Sequence, residues 1–313
     1  MASRLEKLQG LNPIQTQLAQ GYFDPEFSLQ NILPIVPVDS ENGSYPVGNK
    51  DMFKLYETRR AIKAKSNRLP SSDVDLASYM TSEEDAYEPI DYREANNARN
   101  LFNVETFARQ KAQKAVQRGW EKRGMDLITT VSNYASGHYT TLSGLNQWTS
   151  KDTSNPIDDI EAGKVLIRQK SGVPYKELSI AMGQQAWDAL KYHPDLLSIY
   201  QYTRDKILTP DLAVAAFGVK EIFIVSSVYA TDAGVFTDMM ADDVVIYYNN
   251  PSTRTLESTW VPTFGYTIRW NQSPFADEFT EDGGKINNMR YTDNYVCKIM
   301  SNFAGYLIKD VAA

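Results

Sequence analysis

The stretch from Asp91 to about Val131 constrains the fold more than any other. Asp91-Tyr92-Arg93-Glu94 places an acceptor at a helix cap and Glu three residues on, the capping-box pattern. Leu101, Val104, Ala108, Ala112, Ala115, Val116 and Trp120 then recur at three- and four-residue steps, one apolar stripe. Arg99, Arg109, Lys111, Lys114, Arg118 and Lys122 take the remaining surface. Gly119 and Gly124 weaken the later turns, so the helix either stops at Gly124 or bends and runs on to about Val131. Even the shorter version is roughly 30 residues, or about 45 Å at 1.5 Å per residue. That length predicts a strut.

The chain before the strut has two textures. Over residues 1–45, Pro13, Pro25, Pro34 and Pro37 interrupt every periodic pattern, and Ile32 to Val38 reads as extended. Tyr22, Phe23, Phe27, Leu29, Ile32, Leu33, Ile35 and Val36 are too apolar for a solvated tail, which predicts an arm laid on a neighbouring subunit. Next, Arg59, Arg60, Lys63, Lys65 and Arg68 crowd together, with Phe53, Leu55, Ala61 and Ile62 giving a weak strand pattern. After Leu69-Pro70-Ser71-Ser72 the sign reverses through Asp73, Asp75, Glu83, Glu84, Asp85, Glu88 and Asp91. Two readings stay open here: solvated faces of a long hairpin, or complementary patches that meet between copies.

From Asn155 the pattern is α/β. Pro156 opens a helix that Ser171-Gly172 ends, and Thr209-Pro210 opens another that Phe217-Gly218 ends. Glu177 to Met182 reads as a strand and Gln184 to about Tyr192 as a helix. Residues 220–229, 243–248, 259–270 and 287–308 are β-rich, with a hairpin turn at Gly283-Gly284.

Composition restricts chemistry. Cys297 is the single cysteine, and His138 and His193 are the only histidines, so a zinc site of His and Cys would need nearly all of them. A net charge of −7 argues against a chain that grips phosphates. No apolar run approaches a membrane span and the first ten residues do not form a signal peptide. Gly163-Lys164 lacks the other phosphate-loop residues and sits inside a helix. A dispersed Ser-His-Asp relay would have to use His138 or His193; both read better as structural. Asp158-Asp159 and Asp242-Asp243 are adjacent pairs whose carboxylates diverge, so they read as helix-start and turn residues. No catalytic, cofactor or metal residue is expected.

Two stretches carry a family pattern. One is Asn133-Tyr134-Ala135-Ser136-Gly137-His138, Leu142-Ser143-Gly144, Gln147-Trp148 and Asn155-Pro156-Ile157 with Ile160. The other is Trp187, Leu190, His193-Pro194, Ile199, Tyr202, Thr209-Pro210, Leu212-Ala213 and Phe217-Gly218-Val219. Together they resemble the major capsid proteins of tailed bacteriophages, most closely over about residues 130 to 230.

The resemblance implies an α+β capsid fold, shared with encapsulin shells. It implies an N-terminal arm (1–45), an extended hairpin loop lying on the adjacent subunit (46–92) and a peripheral domain with the spine helix (93–152). An axial domain (153–284) and return strands of the peripheral domain (285–313) complete it. It further implies hexamers and pentamers of an icosahedral head enclosing double-stranded DNA, in a virion assembled in the host cytoplasm. A separate scaffolding protein, a portal and a decoration protein are the expected partners. Contact candidates between subunits are Arg59, Arg60, Lys63, Lys65, Arg68, Glu83, Glu84, Asp85, Tyr22, Phe23 and Phe27. The rival readings are an encapsulin-like compartment and a cytoplasmic α/β hydrolase.

Overall fold

The computed structural model describes residues 27–47, 54–69, 75–98, 103–199, 209–250, 263–281 and 283–312. The chain enters through a short helix, α1 (Leu29–Ile32), and strand β1 (Ile35–Val38). A hairpin follows, β2 (Asn42–Val47) against β3 (Asp75–Met80), then β4 (Ser82–Asp91). Helices α2 (Tyr92–Ala98) and α3 (Val104–Thr129) lead to β5 (Tyr139–Thr141). Next come α4 (Pro156–Ser171), β6 (Ser179–Gly183), α5 (Gln184–Lys191), α6 (Pro194–Ile199) and α7 (Pro210–Phe217). Strands β7 (Glu221–Val225), β8 (Val228–Ala230), β9 (Phe236–Asp238) and β10 (Val244–Tyr247) follow. The described chain closes with β11 (Gly265–Trp270), β12 (Phe275–Thr280), β13 (Ile286–Ile299) and β14 (Gly305–Lys309).

The expected single strut from Tyr92 is two helices. Asn103 sits in extended backbone, and its side chain accepts the Thr106 N–H at 3.0 Å, which starts α3 afresh. Asp91 does cap α2, but through the Arg93 N–H (2.9 Å) two residues on. From Val104 the helix runs 26 residues, about 39 Å, straight through Gly119 and Gly124. Of the predicted stripe, Ala108, Ala112, Val116 and Trp120 are buried while Ala115 faces solvent, and Leu101 lies outside the described residues. Gly124 is a contact point: a Cβ there would fall 2.1 Å from Leu29 Cδ2.

One sheet has the order β1-β11-β13-β12, with β4 on the other edge of β13. Alternate residues of its strands face α3, where Ile90, Met289, Tyr291 and Ala276 pack on Ala108, Ala112 and Val116. The second sheet has the order β5-β14-β10-β6-β7, and its central strands β14, β10 and β6 are buried on both faces. Ile180, Met182, Val244, Ile246 and Ile308 meet Ile160, Ile167, Trp187, Leu190 and Phe217 of the helices α4, α5 and α7. Their neighbours Ala181, Val245, Tyr247 and Leu307 point the other way, onto Trp120, Met125 and Ile128 of α3. A single helix therefore serves both sheets: its first half packs on one, and its second half bonds that same sheet through Trp120 and Arg123 while Met125 and Ile128 pack on the other. Each fully buried aliphatic side chain contributes roughly 2 kcal/mol.

The local signals in the α/β part hold. Asn155 Oδ1 accepts the Asp158 N–H (3.2 Å) ahead of Pro156, and Gly172 ends α4 at φ 75°. Thr209 Oγ1 accepts the Leu212 N–H (3.4 Å), and Gly218 ends α7 at φ 59°.

The arm expectation needs correction over its second half. Leu29, Ile32, Leu33 and Val36 are fully buried in their own chain, because α1 packs on α3 and β1 pairs in parallel with β11. The sequence-based segments also cut across the sheets. β11 and β12, within 153–284, join β4 and β13, whereas β14, within 285–313, and β5, within 93–152, belong to the other sheet.

Candidate subunit-contact surfaces

All five predicted cations sit together at the far end of the β2–β3 hairpin. Residues 54–69 form irregular backbone there, not the strand their weak pattern predicted. Arg59, Arg60, Lys63, Lys65 and Arg68 are exposed, and Glu57 is the one carboxylate in the segment. The tip is locally ordered. The Ala64 N–H donates to Ala61 O (3.1 Å), closing a turn with Ile62 and Lys63 at its apex, and Lys63 takes φ 67°. Asn67 Nδ2 donates to Glu57 O (3.0 Å) and Arg59 O (3.1 Å), tying the two sides together. Leu55 and Ile62 are 102% and 93% exposed, full solvation for two large aliphatic side chains.

The acidic contact candidates Glu83, Glu84 and Asp85 lie on β4, which pairs with β13 and is not part of that hairpin; of the other acids, Asp75 opens β3 and Asp73 lies outside the described residues. None of the five tip cations pairs with them. Glu84 turns inward to Arg123 on α3 (3.1 Å), beside Glu88–Lys111 and Glu278–Arg109 (both 2.7 Å). Glu83 and Asp85 point out from the opposite face. With them on that outer face are Tyr87, Phe279 and the Arg290–Asp277 pair (2.9 and 2.5 Å). Tyr87 and Phe279 meet edge-on at 5.7 Å and remain 53% and 38% exposed. Sequence reading missed both aromatics, since their meeting depends on strands about 190 residues apart.

Phe27 was expected at a subunit contact, but it is 4% exposed, already covered by its own chain. Tyr22 and Phe23 lie outside the described residues.

The histidines are structural. His138 is buried, bonds Gly305 O through Nδ1 (3.1 Å) and meets Phe303 edge-on. His193 is buried between Ser154 Oγ, 3.0 Å from Nε2, and Asp195, whose carboxylate lies 3.5 Å from Nδ1. That trio has the membership of a hydrolytic relay but the wrong polarity. The Asp195 backbone N–H donates to Nδ1 (3.4 Å), so Nε2 carries the proton and donates to Ser154. Ser154 in turn donates to Ser150 O (2.9 Å), leaving no base to activate it. Burial holds the imidazole below its ordinary pKa, consistent with a neutral ring. Lys164 is an internal brace: its buried ammonium donates to Glu161 and to Phe217 O at the end of α7, both at 2.5 Å.

Glu121 is a residue that sequence reading passed over. It is fully buried in the second half of α3 and accepts the backbone N–H groups of Ser28 (2.9 Å) and Leu29 (3.0 Å) and the Ser227 hydroxyl (3.2 Å). Burial pushes its carboxyl pKa up while these donors pull it down, with a net rise. The carboxylate fixes where the entering chain meets α3.

The major capsid protein of Burkholderia phage BcepMu is 35% identical over 309 residues, spanning 98% of this chain and 99% of that one. The chain belongs to the phage major capsid proteins. The family model described as phage major capsid protein E matches residues 120–263, from mid-α3 to the start of the β11 region. A phage-related protein from Bordetella bronchiseptica superposes with a TM-score of 0.76 at 25% identity, over 96% of this chain and 97% of that one. The mature capsid of bacteriophage PhiM1 shares the fold at 12% identity, with a TM-score of 0.58 over 92% and 88% of the two chains. A capsid protein does its work as one of many copies in an icosahedral shell, so its function resides in faces that meet other copies.

Proposed function

We propose that this capsid protein forms hexamers and pentamers that close into a head around double-stranded DNA, with the basic hairpin tip as one of the contacts between copies. The observation that carries the reading is the near full-length match to a phage major capsid protein, joined to a two-stranded hairpin in which Tyr45 is the buried hydrophobic side chain among the described residues. An isolated two-stranded hairpin is marginally stable in water, and this one exposes Leu55, Ile62, Leu76 and Met80. Cover from another copy explains both. The sheet built around β13, with α3, serves as the peripheral domain; helices α4 to α7 with the second sheet serve as the axial domain.

The protein acts without catalysis. The reversed polarity of Ser154–His193–Asp195 supports that reading, and the acidic net charge suits a container that must not clamp its contents. A scaffolding protein, a portal and a decoration protein are the partners of such a shell, which is assembled in the host cytoplasm and ends in the virion. No helix among the described residues is long and apolar enough to cross a membrane.

Negative-stain microscopy with size-exclusion chromatography, on protein expressed with and without its phage neighbours, tests the reading. Closed shells, tubes or capsomer rings are expected. A stable small oligomer even beside those neighbours would overturn it, and particles holding a protein cargo and no DNA would transfer the chain to the encapsulin class. Neutralising Arg59, Arg60, Lys63, Lys65 and Arg68 together should block assembly while leaving the subunit folded.

A further inference from the structure

We propose that Ile62 is the anchor of the hairpin contact and that its seat is the Tyr87–Phe279 aromatic pair on the outer sheet face of a second copy. The inference rests on the shell reading and names which atoms meet.

The tip has the form of a preorganised knob. Its turn holds Lys63 at φ 67°, a conformation that L-residues with side chains avoid, and Asn67 braces the loop from behind. This ordering sets an aliphatic side chain at the apex, 93% exposed, with Arg59, Arg60, Lys63 and Lys65 around it. An apolar anchor ringed by charge is how binding energy is concentrated at interfaces: a central side chain in a desolvated pocket, with a polar rim that selects the partner. The seat must then be apolar at its centre and acidic at its edge.

The outer face of β4–β13–β12 offers such a site at the exposed edge of an aromatic step, the inner side of Phe279 being covered by the Arg290 guanidinium at 5.2 Å, which Asp277 holds in place. Tyr87 and Phe279 form an exposed aromatic step, with Pro89 beside them on β4. Glu83 and Asp85 flank it, exposed and without an ion-pair partner among the described residues, whereas Glu84, Glu88 and Glu278 on the opposite face are matched by α3. On this side of the sheet Arg290 pairs with Asp277 and lies close enough to Asp85 and Glu83 to feel their charge, so one cation faces three carboxylates and the excess acid is left to receive the tip cations. Knob and seat stand apart within one chain, since the tip bonds locally and none of its five cations reaches Glu83 or Asp85. A second copy therefore supplies the missing half, and the opposite charges set the register of approach.

Disulfide trapping in assembled particles tests the pairing. Ile62→Cys with Phe279→Cys should give covalent ladders between subunits on oxidation, and either substitution alone should give none, which controls for Cys297. A parallel charge exchange covers the case in which the double cysteine variant fails to assemble. Glu83→Lys with Asp85→Lys should lower particle yield by tenfold or more, and adding Arg59→Glu with Arg60→Glu should restore it to within a factor of about two. Particles that form but yield no ladder, or a charge exchange that does not restore yield, would overturn this contact and leave the shell reading standing. Absence of particles from the unmodified chain beside its phage neighbours would instead remove the shell reading itself.

Discussion

Leu29 fills the space that a side chain at position 124 would occupy. The near-contact of 2.1 Å between Leu29 Cδ2 and a hypothetical Cβ on Gly124 means that the entering chain lies in a notch cut into α3. Glu121, one turn earlier on the same helix, holds the adjacent backbone N–H groups. Together they fix the root of the N-terminal segment.

Filling that notch should be costly. Gly124→Ala improves helix propensity by about 1 kcal/mol but forces Leu29 out of a fully packed site, and overpacking of this kind costs about 1–3 kcal/mol. A net loss near 1–2 kcal/mol in urea unfolding is expected. Leu29→Ala in the same background should recover part of it, giving a coupling above about 0.5 kcal/mol in a double-mutant cycle. Additive losses would show that the two residues do not share the space.

Removing the acceptor at position 121 should loosen the same root. Glu121→Ala leaves two buried N–H groups unpaired, at about 1–3 kcal/mol each. Glu121→Gln keeps an acceptor oxygen and the neutral form that burial favours, so its loss should be less than half as large. Hydrogen exchange at Ser28 and Leu29 reports the change directly, with faster exchange in the alanine variant.

Asp243 gives the fold a pH dependence. Burial pushes its carboxyl up to about 6 despite Lys309 Nζ at 3.7 Å, against an unfolded value near 4. The folded state thus holds this proton more tightly than the unfolded one. The resulting stability is fully present below about pH 4 and is lost as pH rises through about 6. Asp243→Asn should remove that slope and raise stability at pH 7 by up to about 3 kcal/mol, two pK units of about 1.4 kcal/mol each. Denaturant midpoints at pH 4, 5, 6 and 7 measure it; an unchanged slope would mean that another group is responsible.

Ser154 and His193 should matter for folding and not for turnover. Ser154→Ala removes the acceptor of the buried Nε2 proton and the donor to Ser150 O, a loss of about 1–3 kcal/mol. Ester hydrolysis by the purified protein should stay at background in both the unmodified and the substituted chain. Activity abolished by Ser154→Ala would restore the relay reading.

What could be read in the sequence was local. Asn155-Pro156 with Gly172, and Thr209-Pro210 with Gly218, mark their helices because caps are made by residues within one turn of each other. The cationic tip was legible because its five charges lie within ten residues of one another. Gly124 read as a weakness, since the residue that explains it lies 95 positions earlier. The burial of Leu29 to Val36 was hidden for the same reason: β1 pairs with β11, more than two hundred residues away. Likewise the acids of β4 looked like the return arm of a hairpin until β13 took them as its neighbour.

Separating the tip from the seat has a consequence for stoichiometry. The two patches occupy different parts of the chain, so the contact runs head to tail and is satisfied everywhere only when a ring closes. Each copy then gives one knob and accepts one. An open row always leaves a tip at one end and a bare seat at the other, a standing invitation to recruit or to close. A subunit with a defective knob still has an intact seat, so it enters a ring and stops it from closing. Mixed with unmodified chains, such subunits should poison assembly in excess of their number.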